Sequence, residues 1–133
     1  MQSPPYRIKS IINSAREILF DNYPEAYRWG DLMLLRFLYE GIQKLNMIRH
    51  ESRYNGMTLV DFSEPDLSGS DNEESNQMLI EEEMAKDFPV NSRWKDAIVH
   101  YICARAFQLD ESDTMNAQRY SEHMSMFTTW AKM

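Results

Sequence analysis

The side chains best suited to chemistry are His100, Cys103 and His123. His100 and Cys103 stand three residues apart, a spacing that puts both on one helix face, and His123 falls on a following helix that folds back toward the first. Two imidazoles and a thiolate are suitable ligands for tetrahedral zinc, but no fourth ligand follows at a recognisable spacing. The same pair reads as a thiol nucleophile with its base, yet no third orienting group or oxyanion donor accompanies it. The plainer reading is packing, with a thiol between Ile102 and Ala104 acting as a small core hydrophobe. Glu81, Glu82 and Glu83 form an acidic run, but hard-cation loops space their acids around a glycine turn, and that spacing is absent. A solvated acidic face fits these three, and also Asp61, Glu64 and Asp66. There is no glycine-rich phosphate loop, no glycine-flanked serine elbow and no paired-histidine protease motif. The expectation is therefore no catalytic residue, no cofactor, no metal and no enzyme. A metal-dependent enzyme using His100, Cys103 and His123 stands as an alternative.

The elements that would position these residues are helical. A stripe of Ile8, Ile11, Ile12, Ala15, Ile18 and Leu19 predicts a first helix over about 6–20, stopped by Asp21-Asn22-Tyr23-Pro24. Leu32, Leu35, Leu38, Tyr39, Ile42 and Leu45, widened by Met33, Leu34 and Phe37, predict a second over about 29–49, buried on more than one side. Gly41 inside it costs about 1 kcal/mol relative to Ala, so the close approach of another backbone is expected there. Trp94, Ala97, Ile98, Tyr101, Ile102 and Arg105 mark a third helix over 92–109, with Ser92 as its N-cap. Ala117, Tyr120, Met124, Phe127 and Ala131 mark a fourth over 113–131, capped by Ser112 or Asp110. The turn at Asp110-Glu111-Ser112-Asp113 is too short for anything but an antiparallel hairpin. Residues 51–90 lose this periodicity. Met57–Phe62 and Met78–Ile80 read as short strands, a candidate β-hairpin, around a Ser-, Asp- and Glu-rich tract. The expected fold is one mainly α domain over residues 1–133. It is a bundle of four antiparallel helices with an acidic, partly extended insertion between the second and third.

Charge is distributed unevenly. Residues 61–87 hold ten acids against Lys86 alone, a net -9, which leaves the remainder of the -7 chain at +2. No basic stripe for phosphate backbones is visible. No run is long enough to span a bilayer, no signal peptide is visible, and a lone cysteine favours a reducing cytoplasm. Ten Met, three Trp, seven Tyr and six Phe exceed what a small core needs. Some should therefore meet a partner, Trp130 first, with Lys132 and Met133 beyond it.

Three segments carry a resemblance. They are Arg28-Trp29-x-Asp31 opening a Leu-rich helix, "DAIVHYICARAFQLD" with Tyr101, Arg105, Phe107 and Asp110, and "RYSEHMSMF" with Arg119, His123 and Phe127. Together with the helix order, the chain resembles the head–tail adaptor (connector, or head-completion) proteins of tailed bacteriophages, of the short-tailed type. It departs from them in residues 51–90, which are shorter, more acidic and richer in Ser than the stranded insertion of that family.

The resemblance implies a structural protein of the virion's head–tail junction, made in the host cytoplasm. It implies a homo-oligomeric ring, usually of twelve copies, between the portal protein and the tail or nozzle proteins. DNA passes through the lumen without specific binding. No membrane, cofactor or reaction is implied. Glu81, Glu82 and Glu83 then either line the lumen, where they repel DNA, or dock on a basic tail surface. A small dimeric helical interaction or regulatory protein is the other alternative.

Overall fold

The computed structural model describes residues 6–21, 29–48, 73–90, 92–110 and 113–132. Over these residues the chain is mainly helical. The helices are α1 (Ile8–Leu19), α2 (Asp31–Ile48), α3 (Glu73–Met84), α4 (Lys95–Leu109) and α5 (Asn116–Lys132), with a 3-10 turn at Ser92–Trp94 leading into α4. No strand occurs among the described residues. One isolated antiparallel bridge joins Arg7 and Asp87, tying the start of α1 to the end of α3.

α4 is the hub. Ala97, Ile98, Val99, Tyr101, Ile102, Cys103, Ala104 and Ala106 are all buried, so nearly every side of the helix is covered. It packs against α5, α2 and α1. The pairs Asp110–Asn116, Phe107–His123 and Tyr101–Phe127 step in opposite directions along α4 and α5, as the short turn between them requires. The wide α2 stripe is buried from Leu34 to Leu45. Of the α1 stripe, Ile18 falls at the edge and is 37% exposed, while the rest is buried.

Gly41 marks the crossing of α2 and α4. The approach expected there is made by a side chain rather than by backbone: a Cβ on Gly41 would lie 3.0 Å from Tyr101 Cδ1 and 3.2 Å from its Cγ. The ring cannot retreat easily. Its hydroxyl donates to Glu40 Oε1 at 2.5 Å, and its face meets the edge of Phe127, with centroids 5.1 Å apart.

Two expectations are corrected. Met78–Ile80 is not a strand but the middle of α3, because Ile80, Glu83 and Met84 share one helix face and all three are buried. The companion strand at Met57–Phe62 lies outside the described residues. Ser92 does not cap α4, which begins at Lys95 with Trp94 before it and no side-chain cap. Of the two caps expected for α5, Ser112 lies outside the described residues, and Asp110 accepts from the Asn116 side chain through its main-chain carbonyl at 2.9 Å. Asp113 accepts from the Met115 N–H at 2.8 Å, and this bond, then Arg119, holds its carboxyl below the usual range.

Candidate functional site

α1 ends in a motif whose usual residue is glycine. Phe20 has φ 55° and ψ 40°, the left-handed region, and it is the only non-glycine residue at positive φ among those described. Its N–H reaches Glu17 O at 3.3 Å and the Asp21 N–H reaches Arg16 O at 2.9 Å. These two bonds make the Schellman arrangement, which is normally clinched by an apolar contact between the residues at the positions of Arg16 and Asp21. Here an ion pair replaces it: Arg16 Nη1 donates to Asp21 Oδ2 at 2.6 Å, with both side chains buried. A bulky residue in this conformation costs about 1–2 kcal/mol. The side chain so placed is 89% exposed.

Arg16 also joins α1 to α2. It donates to Trp29 O at 2.9 Å and to Asp31 Oδ1 at 2.7 Å. Asp31 thus opens α2 with a carboxylate that favours the positive end of the helix and is bound from outside as well. Trp29 continues the path, its indole N–H donating to Ala106 O at 3.2 Å and its ring meeting Phe107 edge-on. Arg16 and Asp21 were not candidates from the sequence. The available signal was the position of Arg16, four residues after Ile12 and three before Leu19, inside the apolar stripe of α1.

Most of the described motif residues border one of two grooves on opposite sides of α4, while Asp31 borders a third with Glu81. The first, about 750 Å3, is bordered by Phe20, Trp29, Phe107, Asp110, Arg119 and His123. The second, about 540 Å3, lies between α2, α4 and α5, bordered by Met47, Tyr101, Arg105, Met124 and Phe127. In the first, Phe107 stacks on His123, whose Nδ1 lies 3.1 Å from Nδ1 of His100. One imidazole donates and the other accepts, so the pair needs at least one neutral ring. Burial lowers the pKa of both, and for His123 the neighbouring His100 adds to that; Asp96 opposes it at His100 and Glu122 at His123. In the second groove, Arg105 pairs with Glu40 at 3.2 Å. Burial, with the bond to Glu40, pushes the Tyr101 hydroxyl well above its ordinary pKa.

Cys103 does not join the histidines. It is fully buried toward α1, its Sγ 3.8 Å from Ala15 O, and burial pushes the thiol up to about 12. That leaves essentially no thiolate at neutral pH to act as a nucleophile. The ligand set His100, Cys103 and His123 is therefore not assembled. Among the described residues no three His, Cys, Asp or Glu side chains converge as a metal site.

The acidic run splits as well. Glu81 and Glu82 are exposed, but Glu83 is 7% exposed. It accepts from the Tyr39 hydroxyl on α2 and from Lys86 Nζ at 2.8 Å. Glu83 is a tie between α3 and α2, not part of a solvated face. Trp130 is 38% exposed on α5 and Lys132 is exposed, whereas Trp29 and Trp94 are buried. Arg28 and Met133 lie outside the described residues. No helix among the described residues is long and apolar enough to cross a membrane. No protein-family model, curated protein or solved structure matches the chain.

Proposed function

We propose that the chain is a structural assembly protein: a head–tail adaptor that forms a ring, usually of twelve copies, between the portal at a capsid vertex and the tail or nozzle of a short-tailed phage. DNA passes through its centre. In this reading α1, α2, α4 and α5 are the antiparallel four-helix body, and the acidic segment containing α3 is the insertion. The protein turns over no substrate and takes no cofactor.

The observation that carries the reading is the outward display of large apolar side chains on a packed scaffold. Phe20, Met47, Leu109, Met115, Met126 and Trp130 are all more than a third exposed, while the core beneath them is filled. Apolar side chains displayed on a rigid scaffold are available as anchors for other proteins. Supporting it, eight of the described motif residues border two unlike grooves, and a subunit needs two unlike patches to build a closed ring. The buried Glu83 narrows the candidates for a lumen or docking charge to Glu81 and Glu82.

Native mass spectrometry of the purified chain, alone and mixed with the portal protein of a short-tailed phage that carries it, tests the reading. A ring stoichiometry that appears with portal is the expected result. A stable dimer indifferent to portal would move the assignment to a small interaction or regulatory protein.

A further inference from the structure

We infer that neighbouring copies of the chain join head to tail, Phe20 of one copy seating in the groove between α2, α4 and α5 of the next. The inference rests on the ring reading and specifies its subunit contact.

Phe20 is a projecting benzyl group on a rigid stem. The position favours glycine, which would ease the backbone and remove an apolar ring from water. The chain presents a phenylalanine there, 89% exposed, beside Ile18 at 37%. The stem is fixed by the two Schellman bonds and by the buried Arg16–Asp21 pair. Little conformational freedom of the stem remains to be lost when the ring is captured.

The socket has complementary chemistry. Its walls include Met47, 70% exposed, with Ile48 and Met124, and its volume of about 540 Å3 has room for a benzyl group. Thioether side chains adapt to aromatic rings and attract their edges. The charges around knob and socket are opposite. Near Phe20, Glu17, Asp110 and Asp113 stand against Arg119, and the buried Arg16 is itself shared by two carboxylates. At the socket, Lys44 and Arg105 stand against Glu40. An acidic rim approaching a basic one fixes orientation.

The placement makes the contact propagate. Phe107 and Asp110 border the knob's groove, whereas Tyr101, Arg105 and Gln108 border the socket. These rows lie on opposite sides of α4, so each copy offers a knob to one neighbour and a socket to the other. Such a heterologous contact repeats from copy to copy, and it makes a ring where the rotation between copies closes.

The test uses the full chain, followed by sedimentation velocity over a range of concentrations and by native mass spectrometry with portal. Phe20→Gly should weaken self-association roughly tenfold or more, as loss of an anchoring aromatic does, while its melting temperature rises. Lys44→Glu should weaken association, and adding Glu17→Lys should restore it. A Phe20→Cys copy mixed with a Met47→Cys copy should be joined by a short bis-maleimide. If Phe20→Gly rings on portal as well as the wild type, this contact is wrong and the adaptor reading stands. If multimers depend on Phe20 but ignore portal, the contact stands and the adaptor reading falls. A wild-type chain that stays monomeric in every condition, or stops at a two-fold dimer, overturns the contact.

Discussion

At the α1–α2 junction one guanidinium is divided between two carboxylates and a carbonyl, all within 2.9 Å. At the α4–α5 seam the contacts are ring on ring: Tyr101 on Phe127, Phe107 on His123, His123 beside His100. The junction fixes direction, because each bond has one permitted geometry, and it fails if a single partner is removed. The seam fixes proximity. It accepts changes of shape more readily, but part of it depends on protonation. The junction also carries the strained turn that aims Phe20, so the least tolerant contact in the molecule lies behind one of its most exposed side chains.

Four measurements break or sharpen this contrast. Arg16→Met removes the guanidinium from the buried Asp21, which keeps the Trp29 N–H at 3.4 Å, and from the half-buried Asp31, and should cost about 3–5 kcal/mol in chemical denaturation. Phe127→Leu at the seam should cost about 1–2 kcal/mol. Equal losses for these two would erase the distinction. Phe20→Gly should act in the opposite direction, raising stability by about 1 kcal/mol in thermal melts, because it relieves the left-handed backbone while the ring, 89% exposed, buries almost nothing on folding. The smallest effect concerns pH. Both histidines have folded pKa values held below the ordinary 6.5, so the unfolded chain binds protons more readily. Stability is then full above pH 6.5 and declines as pH falls through the lowered values. The loss should be on the order of 0.5 kcal/mol, since both rings are only partly buried and water screens them. His123→Phe should flatten that acid limb in urea melts between pH 7 and 5.

The helices with broad apolar stripes were legible from spacing alone. α1, α2, α4 and α5 start and stop within three residues of their expected limits. The crossing at Gly41 was legible too, because glycine inside a leucine-rich helix signals a near neighbour. α3 was not legible, because one of the three buried positions on its face is Glu83, and an apolar count reads a buried glutamate as solvent-facing. Arg16 was missed for the same reason: its partners Asp21 and Asp31 sit outside α1, so their proximity follows only from the fold. The histidine pair was half legible. Placing His123 on the facing helix was right, but the rotation of α4 turns Cys103 toward α1, and spacing does not report rotation.

The ring of Tyr101 is confined on several sides, by Gly41, by Phe127 and by the hydrogen bond at its tip. Half-turns about its Cβ–Cγ axis need α2 and α4 to separate momentarily. The two ring edges then become magnetically inequivalent whenever that breathing is slow, and the rate at which their NMR signals merge on warming becomes an internal clock for the opening of the helix crossing.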